Sequence, residues 1–185
     1  MRVLIAFCTR YGATESTSDE IAKVLEEEGL EVDVVNLKNE RVKDISEYDI
    51  VIVGAGMQMF RWCKESEKFL DKFQKELREK RHVIFISSGA QAILEYDGKT
   101  DEIEENRQKW LFDKVDKYSL NPVTIGIFGG VWDYNKMGFV FKKTMGPFQM
   151  KLEEVGIPEV EPGVYDTRNW DEIRNWAKEL ARKVV

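Results

Sequence analysis

The sequence predicts a doubly wound α/β sandwich, a parallel sheet with helices on both faces. Short runs that are apolar on both faces recur along the chain. The segments between them switch to helical spacing, and the two periods alternate to the end. Such alternation implies right-handed βαβ crossovers. The runs are residues 3–7, 32–37, 50–53, 83–86 and 123–128. The second, Val32-Asp33-Val34-Val35-Asn36-Leu37, partly alternates and so suits a half-exposed edge.

Four segments between and after these runs carry an apolar stripe. Ile21, Val24 and Leu25 share a face over 14–28, which Gly29 terminates. Phe69, Leu70, Phe73 and Leu77 do the same over 64–79, and Ile103, Trp110, Leu111, Val115 and Tyr118 over 101–118. The last helix carries Trp170, Ile173, Ala177, Leu180 and Val184, and Asn169 with Glu172 resembles a capping box at its start. About forty residues separate Phe128 from that helix. They are too apolar for disorder, and 136–152 is expected to be one inserted helix. The expectation is a single domain over 1–185 with an insertion at about 131–162.

Composition narrows the function. The chain has 185 residues, 43% of them hydrophobic, which suits one globular domain. With 28 Lys and Arg against 34 Asp and Glu, the net charge of −6 disfavours nucleic acid as a partner. Two cysteines cannot make a disulfide framework and fit a reducing cytosol. Cys8 reads as a small buried hydrophobe. No metal-ligand spacing appears. The first apolar run is too short for a signal-peptide core, and no stretch approaches a membrane span, so a cytoplasmic protein without an integral membrane segment is expected. Charged residues reach 34%, which fits either a thermophile or solvated helix faces.

Ligands of open α/β sheets bind beyond the carboxyl ends of the strands. After the first run comes Thr9-Arg10-Tyr11-Gly12-Ala13-Thr14, leading straight into a helix. Gly12 permits close backbone approach, the Thr9 and Thr14 hydroxyls can donate, and the helix amides point at an anion. An ordinary turn with Thr14 as a cap reads equally simply. The loop is neither a Walker A nor a dinucleotide glycine motif.

This hexapeptide resembles the phosphate loop of flavodoxins. Its Thr-Arg-x-Gly-x-Thr form is similar to that of the flavodoxin-type, menaquinone-dependent protoporphyrinogen oxidases. The likeness continues through Tyr48-Asp49-x-Val51-x-Val53-Gly54-Ala55, the aromatic loop after the fifth run and the Trp-containing last helix. It implies a sheet order of 2-1-3-4-5 and non-covalent FMN. Tyr11 stands where the family carries a hydroxyl or an acid.

The resemblance places Gly54, Ala55, Gly56, Met57, Gln58, Phe60 and Trp62 beside the flavin ring. Independently, a flat apolar ring with polar edges needs aromatic or thioether faces and backbone hydrogen bonds. Phe60, Trp62, Met57 and Met59 offer the faces, and a flexible Gly56 peptide could turn its carbonyl to the flavin N5–H. In a third loop, Ser87, Ser88, Gly89 and Ala90 suit the pyrimidine edge, or are simply turn residues. Gly130 and Trp132, after the fifth run, complete the set, and Tyr96 is a lesser candidate in a polar loop. The insertion interleaves Phe139, Phe141, Met145, Phe148 and Met150 with Lys136, Lys142, Lys143 and Lys151. A membrane or partner face fits, but a helix packed on the sheet with solvated lysines is preferred.

The leading expectation is an FMN electron carrier serving a redox partner protein. The acidic balance would disfavour the anionic reduced flavin and lower its second potential. An alternative is an oxidoreductase acting on protoporphyrinogen IX or a quinone. A flavin-free interaction module is a minor third. A phosphoacceptor receiver fails, because its paired acids, Asp and Lys are replaced by Cys8-Thr9, Gly54 and Gly129-Gly130. His82 lies at the start of the fourth run, away from the ligand edge, so no His-dependent triad and no other catalytic side chain is named.

Overall fold

The computed structural model describes residues 1–58 and 61–184, and the side chains of all of these except Gln58, Ala92, Val140 and Phe141. Five parallel strands form the main sheet: β1 (Arg2–Cys8), β2 (Glu31–Asn36), β3 (Ile50–Gln58), β5 (Arg81–Ser87) and β6 (Thr124–Phe128). A two-residue β4 (Arg61–Trp62) pairs antiparallel with the end of β3. The order β2-β1-β3-β5-β6 is the expected 2-1-3-4-5 once β4 is set aside. β2 is half-exposed along its length, as its alternation requires of an edge.

Successive residues of a strand point to opposite faces, so β1 feeds two cores. Val3 and Ile5 pack with Ile21 and Leu25 of α1 (Ala13–Glu27) and with Ile173 and Leu180 of α8 (Trp170–Val184). Leu4 and Ala6 pack on the other side with Phe69 and Phe73 of α2 (Lys64–Glu79). The Asn169 side chain accepts the Glu172 amide at 3.1 Å, which is the first half of the expected capping box. Among the described residues no helix is long and apolar enough to cross a membrane.

Several expectations are corrected. Tyr96 ends a short helix, α3 (Gln91–Tyr96), rather than lying in a loop. The helix expected over 101–118 divides into α4 (Thr100–Arg107), a π turn at Gln108–Phe112, and α5 (Asp113–Lys117). The Trp62 indole donates to the Trp110 carbonyl at 2.7 Å, and an inserted side chain of this kind accompanies a widened helical ladder.

The insertion also differs. The single helix expected over 136–152 is two, α6 (Phe139–Thr144) and α7 (Gly146–Glu154). Pro147 sits in the first turn of α7, where its missing N–H costs nothing, and it could not have continued α6. Three short strands, β7 (Val131–Asp133), β8 (Glu159–Glu161) and β9 (Val164–Asp166), form a separate antiparallel sheet in the order β7-β9-β8. The unit therefore reaches Asp166. It has its own core of Ile93, Tyr134, Met137, Leu152 and Tyr165. That corrects the preferred reading of a helix covering the main sheet: Phe139 is 84% exposed and Met150 72%.

The cysteines are corrected too. Cys8 at the end of β1 and Cys63 before α2 are joined as a disulfide, with Cα atoms 5.8 Å apart. Two cysteines are too few for a framework, yet they suffice for one cross-link.

Candidate functional site

From β1 the chain runs outward to β2, then crosses back to β3 on the other side, so the loops after β1 and β3 diverge. Such a switch point leaves a crevice at the carboxyl ends of the strands. A narrow cleft opens there, and all four loops singled out in the sequence line it. The first contributes Thr9, Arg10, Tyr11, Ala13 and Thr14, and the second Gly56 and Met57. Ser87 and Gly89 come from the third, and Gly130 with Val131 from the fourth. At about 40 Å3 it admits a few water-sized groups, the scale of an anionic headgroup rather than a ring system.

Local geometry explains the first loop. Gly12 has φ +97, a left-handed conformation that favours glycine, and it is the residue that caps α1. Its amide is accepted by the Thr9 hydroxyl oxygen at 3.0 Å, which leaves the Thr9 proton free to donate onward. Because α1 begins at Ala13, the amides of Ala13, Thr14 and Glu15 belong to the first turn, which has no intrahelical acceptors. Thr14 is buried inside that turn and does not cap the helix, so the plain-turn reading of it fails.

The second loop is held more tightly than expected. The Gly56 carbonyl accepts the Cys63 amide at 3.0 Å, so turning that peptide would break a bond already made. A Cβ on Gly56 would lie 2.9 Å from Thr14 Oγ1 and 3.3 Å from the Cys8 carbonyl oxygen. Gly56 is thus required by the close approach of two loops rather than by flexibility. Gly54 and Ala55 are strand residues beneath the cleft, with the Gly54 carbonyl occupied by the Ser66 hydroxyl at 2.7 Å. Trp62 is not brought to the cleft: it is 3% exposed and packs with the α2 core. Burial of its ring and satisfaction of its N–H remove it as a stacking face. Gln58 contributes its backbone to β3, while Met59 and Phe60 lie outside the described residues.

The third and fourth loops interlock. Ser88 donates its amide to the Phe128 carbonyl, and Ala90 caps α3. The Trp132 indole donates to the Gly89 carbonyl at 2.9 Å and stacks near Tyr134 and Phe148. A Cβ on Gly89 would meet that indole at 2.3 Å, and one on Gly130 would meet the Gly89 nitrogen at 2.7 Å. Tyr96 stands apart, exposed, with the Lys151 ammonium over its ring.

Sequence reasoning missed the residues that brace this cleft from the insertion and from the two positions that follow it. Thr167 bonds both backbone groups of Gly130, at 2.9 and 3.0 Å. The Arg168 guanidinium is clasped by Asp166 and donates to the Ala13 carbonyl at 3.1 Å and to the Ser16 hydroxyl. Lys136, paired with Asp133 at 3.0 Å, reaches the Tyr11 carbonyl at 3.4 Å. No local pattern marks these contacts, which join residues more than a hundred apart or across the insertion. A second, larger cleft of about 800 Å3 starts at Ala90 and runs between Ile93 and Leu94 on one side and Pro147 and Phe148 on the other.

The family profile described as "Flavodoxin domain" matches residues 4–155. The chain belongs to the flavodoxin domain family. FMN is the cofactor and flavin-based electron transfer the activity that go with this membership. This flavodoxin-domain chain is 23% identical over 187 residues to a protein named protoporphyrinogen IX dehydrogenase [quinone] from Escherichia coli strain K12, covering 98% of the chain and 95% of that protein. A flavodoxin from the domain Archaea superposes with a TM-score of 0.56 at 14% identity, covering 100% of this chain and 99% of the other. Oxidised flavodoxin 1 from Bacillus cereus gives 0.51 at 17%, covering 83% and 98%. At these identities the two structures speak for the fold alone.

The cleft of this flavodoxin-domain protein fits the phosphate end of FMN. The Ser87 hydroxyl is buried, lines the cleft and has no protein partner, and a buried hydroxyl left so calls for a polar ligand. Thr9 and the first turn of α1 add donors suited to an anion.

Proposed function

We propose that the four-loop cleft is where this chain holds FMN, and that the protein passes electrons to and from a redox partner through it. The observation that carries the reading is the convergence of the unpartnered Ser87 hydroxyl, the Thr9 hydroxyl and the first turn of α1 on one small cleft. In this reading Thr9, Arg10, Tyr11, Gly12, Ala13 and Thr14 receive the phosphate. The Ser87 hydroxyl adds a donor to the phosphate, while Gly56, Met57, Gly89 and Gly130, at the rim of the cleft, and the adjoining Ser88 offer backbone groups to the polar edges of the ring. Bound FMN supplies the one- and two-electron redox chemistry of the transfer. The protein's part is to bind, orient and shield the cofactor. Thr14→Ala tests this: removing a hydroxyl that bonds a charged phosphate should weaken FMN binding by about 10- to 100-fold. Unchanged affinity by flavin fluorescence titration would remove the phosphate from this loop.

A second reading, oxidation of protoporphyrinogen IX or reduction of a quinone, has its own support. The Escherichia coli relative so named matches along nearly its whole length, insertion included. The 800 Å3 cleft beside Ala90 lies within the size range of small-molecule sites. Anaerobic turnover of protoporphyrinogen with a quinone acceptor separates the two: product formation makes the protein an enzyme, and its absence leaves the carrier.

A further inference from the structure

We propose that Cys8 and Cys63 form a reversible thiol–disulfide site whose state sets how firmly the loops of the FMN cleft are held together; the link to FMN rests on the placement of FMN proposed above. Cys8 is the residue immediately before Thr9, and Cys63 the one immediately before α2. Their bond ties the start of the first loop to the end of the second across 55 residues of sequence. Around it, the Cys63 amide donates to the Gly56 carbonyl and Gly56 approaches Thr14, so the cross-link and the cleft share one framework.

The surroundings suit both oxidation states. The Cα separation of 5.8 Å falls where disulfides are most often found. The Glu65 carboxylate lies 3.3 Å from the Cys8 sulfur and 3.5 Å from that of Cys63. Once reduced, both thiols have an acceptor there instead of being left unpaired in the interior. Glu65 also lines a surface cleft between the β2–β3 connection and α2, so the sulfurs lie one side chain beneath solvent. A dithiol is the class of reactant that fits. It cleaves the Cys8–Cys63 bond by two thiol–disulfide exchanges, giving up two electrons and two protons and leaving as its own disulfide, while Cys8 and Cys63 become thiols. Releasing the tie frees the two loops, and a less organised cleft binds its ligand more weakly.

The test uses the full chain prepared under air, with and without dithiothreitol, followed by alkylation in denaturant and by FMN titration. The expected result is no alkylated cysteine before reduction and two after it, with FMN held about tenfold less tightly by the reduced protein. A Cys63→Ser variant should bind FMN like the reduced protein and ignore dithiothreitol. Two alkylated thiols in the air-prepared protein would overturn the cross-link, as would a tightly bound zinc ion held by Cys8, Cys63 and Glu65. Equal FMN affinity in both states would overturn the coupling. Failure of both states to bind FMN would overturn the placement of FMN and the coupling with it, while the thiol count would still decide the cross-link.

Discussion

Gly56 shows how one residue joins the chemistry of the cleft to its packing. Its carbonyl is taken by Cys63, and the space where a Cβ would sit is already filled by Thr14 and the Cys8 carbonyl. Gly56→Ala should therefore push the first loop off its position and raise the FMN dissociation constant about tenfold, the effect expected of 1–3 kcal/mol of overpacking. Fluorescence titration checks this, and an unchanged constant would mean that the loops are not packed as described. The sequence made Gly56 visible as a candidate, since a glycine at a strand's carboxyl end is informative. It could not reveal whether flexibility or close approach required it, because the neighbours that decide lie about forty residues away. Trp62 failed for a similar reason: an aromatic beside a ligand loop looks the same whether its ring faces the ligand or, as here, the α2 core.

At the scale of elements, the main strands and α1, α2 and α8 were legible because their periodicity is local and strong. The insertion was not. Its strands are three residues each, too short to show a period, and Pro147 was the one local sign that the expected helix would break. The insertion and the two residues after it nevertheless brace the cleft, through Trp132 on Gly89, Thr167 on Gly130 and Arg168 on the start of α1. Gly129 is the tightest point of that join, for a Cβ there would stand 2.2 Å from the Thr167 carbonyl oxygen. Backbone cannot yield as a flexible side chain does, so Gly129→Ala should cost at least about 1–3 kcal/mol in urea unfolding. A variant as stable as the parent would show that the small sheet does not pack rigidly on β6.

For the molecule as a whole, the third core ties stability to alkaline pH. Burial pushes the Tyr134 hydroxyl up to about 12, with the nearby Tyr165 and Glu153 adding to the rise. Its folded value thus lies above the unfolded value near 10. The resulting stability is fully present below about pH 10 and is lost as pH rises toward 12, because the unfolded chain releases the proton first. Tyr134→Phe should flatten part of that alkaline decline between pH 10 and 12, but not all of it, since burial holds Tyr48 near 12 as well. Urea midpoints across that range test it, and an unaltered slope would place Tyr134 outside a sealed core. The charge of −6 was plain from composition, but two lysines of the insertion answer to specific partners, Lys136 to Asp133 and Lys151 to Asp97. If the four-loop cleft receives the phosphate of FMN, apoprotein titrated in parallel with FMN and with riboflavin must distinguish the two. One FMN should bind per chain, held at least about 100-fold more tightly than riboflavin, as the loss of several charge-assisted hydrogen bonds requires. Equal affinity for the two, or no binding of either, would contradict it.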